Sequence, residues 1–288
     1  KEESICFQDL KIVNDIDVRD NDSNDEGSVS KFCSAEALFE MANSSCVSYR
    51  ICGHPNRTII VRQDRDCQDH TGGIVWETAY LLASFLEQKF GSKDKNKSKC
   101  ALGQTLEVGS GCGLLGLVLS AAELSNRVVL TEATEAMHNL MSNVKDVRRK
   151  FHETNAVEMD VIAQQLRWDN CELDTKNGGD ALSGKFDTIV GTDVVFRKDL
   201  VKPLLKTLHT FSHSNTKVYL CLQERCVDAH SELMQKAPRY FKVEDQTQEL
   251  RNTKGCAWGV QDLECKLIML SSRRDRKESS RKRKRVKS

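Results

Sequence analysis

The stretch Thr105-Leu-Glu-Val-Gly-Ser-Gly-Cys-Gly-Leu-Leu-Gly116 constrains the fold more than any other part of this chain. A short apolar run, Thr105 to Val108, leads into clustered glycines, and an apolar helical segment, Leu114 to Leu124, leads out. Gly109, Gly111 and Gly113 allow left-handed backbone and close approach to a ligand. The helix start beyond them presents unpaired N–H groups. The competing account is a tight strand–helix turn that binds nothing.

The pattern around this unit extends it. Strands are expected at Thr58–Gln63, Arg127–Thr131, Val157–Ile162, Phe186–Val190 and Lys217–Leu222. Helices are expected over Ile74–Leu86, Glu135–Phe151, Lys198–Phe211 and Ala229–Ala237. Such alternation predicts an α/β fold with a parallel sheet covered on both faces. Two late strands, near Phe241–Glu244 and Glu264–Leu270, have no long helix between them and are expected to pair antiparallel at one edge. Lys31 to Cys52 is ambiguous.

The glycine loop can be asked what it binds. Gly111-x-Gly113-x-x-Gly116 matches a dinucleotide fingerprint, with Glu132 at about the right distance for a ribose. Glu107 argues against a pyrophosphate, because a carboxylate at the strand end repels phosphate and suits a cationic amino group. A ligand with a cation at one end and a ribose at the other fits S-adenosylmethionine. Glu132 would accept hydrogen bonds from the ribose at the crevice beyond the strand ends. Trp76 and Trp168 are candidates to stack on that ligand, or else they pack the core.

Several blocks occur in a fixed order: Gly73-x-Val-Trp-Glu-x-Ala79, Leu106-Glu-Val-Gly-Ser-Gly-Cys-Gly113, Val129-Leu-Thr-Glu132, Leu166-x-Trp168 and Gly191-Thr-Asp-Val-Val-Phe196. Together these resemble the seven-strand protein-lysine methyltransferases of the methyltransferase-like group. They are closest in pattern to the enzymes that modify chaperones and the valosin-containing ATPase. The resemblance covers residues 58–270. It implies a seven-strand Rossmann-like sheet, mostly parallel with an antiparallel edge hairpin and helices on both faces. It implies cofactor contacts from Trp76, Gly109, Ser110, Gly111, Gly113, Glu132, Trp168 and the backbone near Thr192, joined by Glu107 on the charge argument.

The resemblance also places Asp193 at the first position of the family's Asp-x-x-Tyr motif, on the substrate side. The family's Tyr is Phe196 here, and Glu132 stands where an Asp is usual. Asp193 and Phe196 are the candidate catalytic residues. Asp193 would orient the lysine amine and Phe196 would line its channel with an apolar, cation–π face. A helix N-cap is the plainer role for Asp193, and Glu224 and Arg225, after the strand at Lys217–Leu222, face the same rim, where a structural ion pair is the plainer role.

Charge divides the chain further. The net charge is +1 over 288 residues. Residues 1–30 carry nine acids and three bases, whereas residues 271–288 carry ten bases and two acids. These ends are expected to be a flexible acidic arm and a disordered basic tail around a methyltransferase domain at 31–270. Arg281-Lys-Arg-Lys-Arg285 reads as a signal for a nuclear import receptor, or as a solvated tail that touches RNA or an acidic partner. The longest apolar run, Leu114 to Leu119, is far short of the roughly 20 residues that span a bilayer. Lys1 to Leu10 lacks the apolar segment of a secretory leader. The chain opens on Lys1 rather than Met, so its N-terminus is left open. Twelve cysteines without C-x-x-C spacing predict reduced thiols, no metal site, and a cytoplasmic or nuclear protein.

The activity expected is S-adenosylmethionine-dependent methylation of lysine in a protein partner, such as a chaperone or ATPase. Three alternatives stay open: a weakly active or inactive cofactor-binding scaffold, motivated by Phe196; a methyltransferase acting on RNA or a small molecule; and a nicotinamide oxidoreductase, disfavoured by Glu107 and Asp193.

Overall fold

A small sheet precedes the large one. In the computed structural model, which describes residues 5–6, 35–54, 56–64, 71–91, 100–154, 156–177 and 179–274, β1 (Ile5–Cys6) runs parallel to β2 (Cys46–Arg50). β3 (Thr58–Arg62) pairs with β2 antiparallel, and α1 (Ala35–Asn43) lies just before β2. The described part of the ambiguous Lys31–Cys52 segment, residues 35–52, therefore holds α1 and β2. Val47, Tyr49, Ile59 and Val61 are buried in this layer. Arg57 fixes it to the body, donating to the Ala121 and Ala156 carbonyls at 3.1 and 2.9 Å. Gln63 ties it to the site: its side-chain amide donates to the Met41 and Ser44 carbonyls, and its Oε1 accepts the Val75 amide at 2.6 Å.

The main sheet then builds outward in both directions from one strand. α2 (Glu77–Phe90) leads to β4 (Gln104–Val108), α3 (Leu114–Ala121), β5 (Arg127–Glu132), α4 (Met137–Glu153) and β6 (Val161–Gln165). After α5 (Cys171–Asn177) come β7 (Phe186–Thr192), α6 (Lys198–Phe211), β8 (Ser212–Leu222), α7 (Val227–Lys236) and β9 (Lys242–Asp245). The short helices α8 (Thr247–Asn252) and α9 (Ala257–Gln261) precede β10 (Lys266–Ser271). Among the described residues the large sheet has seven strands, in the order β6-β5-β4-β7-β8-β10-β9. β6 to β8 are parallel, and β10 is antiparallel to both β8 and β9. The antiparallel edge is as expected. Connections run one way from β4 and then the other, so the crevice beyond the ends of β4 and β7 is the switch point where such folds bind ligands.

Side chains alternate across β4. Leu106 and Val108 join a core with Val201, Leu204, Leu205 and Leu208 of α6. Thr105 and Glu107 face the other way, toward a core built from α2, α3, α4 and the small sheet. Trp258 of α9 sits in that second core against Tyr80, 2% exposed.

Two expectations move. The strand predicted at Val157–Ile162 is β6, four residues later, because pairing begins where the Val128 amide reaches the Asp160 carbonyl. Its half-exposed edge residues, Ile162 to Gln165, carry little apolar signal. The basic segment starts later than residue 271: Ser271 closes β10, and Arg273 and Arg274 bond the Ser212, Tyr240 and Pro238 carbonyls. The rest of the basic tail and nearly all of the acidic arm lie outside the described residues. No helix among the described residues is long and apolar enough to cross a membrane. Nine cysteines, from Cys46 to Cys265, are free.

Candidate active site

Ser110 closes the ends of β4 and β5 together. Its amide donates to the Thr131 carbonyl at 2.9 Å, and its Oγ accepts the Thr131 amide at 3.0 Å. Thr131 Oγ1 donates to the Glu107 carbonyl at 2.6 Å. The turn that results needs φ of +64° at Gly109 and +52° at Gly111. A Cβ on Gly109 would stand 2.9 Å from Val194 and 3.3 Å from the Trp168 ring, and one on Gly111 would press on the Gly72 carbonyl at 3.3 Å. Glycine is required there by conformation and by space.

In front of this turn is a cavity of about 330 Å³. Gly109, Ser110 and Gly111 form its floor, Glu132 and Trp168 one side, and Trp76 the other. Thr192, Asp193 and Phe196 line the end nearest β7. Glu132 Oε2 accepts the Gly111 amide and its Oε1 the Ala133 amide, both at 2.8 Å. Trp76 Nε1 donates to the Thr71 carbonyl at 3.1 Å.

Glu107 and Gly113 are not brought to the cavity. Glu107 is 1% exposed and lies behind the loop, where its Oε2 accepts the Gly116 amide of α3 at 3.0 Å. Burial pushes its carboxyl up to about 8. Its expected pairing with a cationic ligand group gives way to a role inside the fold, because strand alternation turns it under α3. Gly113 faces inward, where a Cβ would stand 2.7 Å from Leu140.

At the other end, Asp193 takes φ of +50°, uncommon for a residue with a side chain. Its side chain is 5% exposed, and Oδ1 accepts the Gln223 amide at 2.8 Å. It does not cap α6, whose N-cap is Arg197. Glu224 and Arg225 both form ion pairs, with different partners. Glu224 bonds Lys266, whereas Arg225 turns inward to Asp193 at 3.2 Å and Glu77 at 3.3 Å, over the Trp76 ring at 4.2 Å. Burial raises the carboxyls of both Asp193 and Glu77, and Arg225 pulls each back down. Sequence reasoning missed this role for Glu77 and Arg225. They lie 148 residues apart, and only the fold joins them.

The cavity fits S-adenosylmethionine. Its glycine turn has room only while no Cβ fills it, the Glu132 carboxylate lies at the end of β5, and the Trp168 indole lines the same cavity. The Asp193 carboxylate, just beyond β7, also lines the cavity.

Comparisons with known proteins agree. A family profile described as lysine methyltransferase matches residues 54–240. Mouse protein N-lysine methyltransferase METTL21A is 29% identical over 188 residues, 65% of this chain and 76% of that protein. The calmodulin-lysine N-methyltransferase of Arabidopsis thaliana is 27% identical over 180 residues, 57% of this chain and 53% of that protein. Among solved structures, a methyltransferase from Pyrococcus furiosus gives a TM-score of 0.43 at 16% identity, covering 73% of this chain and 88% of that one. The cofactor is S-adenosylmethionine, and the chain belongs to the lysine methyltransferase family.

Proposed function

We propose that this site methylates a lysine on the surface of a protein partner, with the target amine entering beside Asp193 and Phe196. The observation that carries this reading is the buried Asp193 carboxylate at one end of a cavity whose other end is Glu132 and Gly111.

Bound S-adenosylmethionine supplies an electrophilic methyl group. The protein's task is alignment of amine and methyl carbon, an effect worth about 7–11 kcal/mol when complete. Gly109, Ser110, Gly111, Glu132, Trp168 and Thr192 would hold the cofactor, with Trp76 closing the front. A lysine amine has a reference pKa of about 10.4 and must lose a proton before it attacks. Burial at the cavity mouth lowers that value. Asp193 would accept a hydrogen bond from the amine and aim its lone pair. A carboxylate also favours the ammonium form, so orientation rather than strong base action is assigned to Asp193. Phe196 would give the channel an apolar wall without the phenol hydroxyl.

The substrate class follows the relatives, which are named for protein lysines, and a chaperone or an ATPase remains a candidate partner. Incubating the full chain with lysate and isotopically labelled S-adenosylmethionine, then mapping label by mass spectrometry, tests this. Label on lysine of a discrete protein is expected. Label on RNA, or no label despite cofactor binding, would reverse the reading in favour of a nucleic-acid enzyme or a scaffold. Nuclear entry is proposed for the Arg281–Arg285 segment. A reporter fused to residues 271–288 should concentrate in nuclei, and a diffuse reporter would count against it.

A further inference from the structure

A cation already sits against two residues that line the cavity, Asp193 and Trp76. Two carboxylates from different elements, Glu77 at the start of α2 and Asp193 after β7, converge on one point, and the face of Trp76 covers it. Each of these attracts positive charge, and the indole does so within about 6 Å of its centroid. The guanidinium of Arg225 occupies that point.

Occupant and seat are held very differently. Asp193 is fixed by the Gln223 amide on Oδ1 and by its own amide, which donates to the Cys221 carbonyl at 3.0 Å. Arg225 reaches Asp193 and Glu77 at 3.2–3.4 Å, long beside the roughly 2.7–2.9 Å of a tight ionic hydrogen bond. Its side chain is 33% exposed. Arg57 shows what a structural arginine looks like here: 16% exposed, with backbone carbonyls and Glu123 at 2.9–3.1 Å. Two acids against one arginine also leave the seat with surplus negative charge.

We propose that Arg225 is an internal stand-in for the substrate, filling an alkylammonium seat made by Asp193, Glu77 and Trp76 and leaving it when a lysine side chain enters. This rests on the reading that Asp193 faces the target amine. The choice of residue is chemically apt. A guanidinium stays protonated and offers no free lone pair, so the occupant keeps the acids paired without competing as a methyl acceptor. Entry of a lysine as its ammonium exchanges one cation for another, so the two carboxylates stay paired until the amine gives up its proton, which avoids much of the cost of losing one partner from a pair shielded from water.

The test titrates n-butylammonium, a lysine side-chain mimic, into the full chain. Arg225→Gln keeps an amide over Trp76 but removes the charge. It should bind n-butylammonium at least tenfold more tightly than the wild type by calorimetry at pH 8, and adding Asp193→Asn should abolish that binding. Equal binding to wild type and Arg225→Gln, still lost with Asp193→Asn, would remove the stand-in and keep Asp193 as the amine-facing residue. No Asp193-dependent binding in either protein would remove both. The wild type supplies an independent readout should Arg225→Gln not fold. Its Arg225 Nε–Hε NMR signal should move toward the solvent position as n-butylammonium is added, and a signal that stays fixed while Asp193-dependent binding proceeds would overturn the proposal.

Discussion

Glu132 Oε2 accepts the Gly111 amide at 2.8 Å, so one side chain joins the end of β5 to the glycine turn after β4. The same carboxylate lines the cavity, so under the proposed function it both braces the loop and contacts the cofactor. Glu132→Ala removes both functions and should weaken S-adenosylmethionine binding at least tenfold by calorimetry. Gly111→Arg should abolish it, because a side chain there meets Gly72 and left-handed backbone together. Unchanged affinity in Gly111→Arg would sink the cofactor assignment.

Glu107 predicts a pH dependence of stability rather than of binding. Its carboxyl is pushed up to about 8 in the fold, against about 4.3 in an unfolded chain. Between those values the folded state holds a proton that the unfolded state has lost, so stability falls as pH rises through this window. Glu107→Gln keeps the shape and removes the titration. The wild type should lose more unfolding free energy between pH 5 and 8 than the variant in denaturant titrations, with the difference on the order of a few kcal/mol. Parallel curves would show that Glu107 does not carry the effect. Cofactor affinity should change little.

Asp193→Ala should leave cofactor binding near wild type and cut methyl transfer by about tenfold to a hundredfold, since orientation is lost while the glycine floor and Glu132 remain. Asp193→Asn should retain more activity because the amide still accepts a hydrogen bond. A variant that loses cofactor and activity together would place Asp193 in the cofactor site instead.

Trp258 is a packing prediction. It is 2% exposed against Tyr80, and its Nε1 donates to the Gly255 carbonyl at 2.9 Å. Truncation to Ala should cost about 3–5 kcal/mol in denaturant unfolding. A loss below 1 kcal/mol would mean that α9 is not part of the cooperative core.

Periodicity carried the sheet, because buried parallel strands and amphipathic helices each leave a repeating pattern. The helix at Lys198–Phe211 lies where the spacing places it. β6 was displaced because an edge strand ending in Gln164 and Gln165 buries too little to be marked. The helices α8 and α9 are only six and five residues long, less than two turns, and leave no usable repeat. In the site, the glycines and Glu132 were legible because conformation and chain spacing restrict them locally. Glu107 was misread by its position at the strand end; the neighbours Leu106 and Val108, which share the opposite face, were the signal that it turns beneath α3. Arg225 carries no such local mark. Its partners lie on α2 and just after β7, distant in the chain, so the residue announces an ion pair without naming what completes it.

The Gln63 bonds have a consequence for how the site comes into being. The segment from Thr71 to Trp76 fronts the cavity, yet its Val75 amide is held by a side chain whose other contacts are the carbonyls of Met41 and Ser44. Ligand affinity is thereby a gauge of docking by a layer that never meets the ligand. Deleting residues 1–45 should weaken S-adenosylmethionine binding while leaving the seven-strand sheet folded. By the same linkage, saturating cofactor should slow hydrogen exchange in β2 and β3, so that occupancy of the cavity is felt in strands that do not line it.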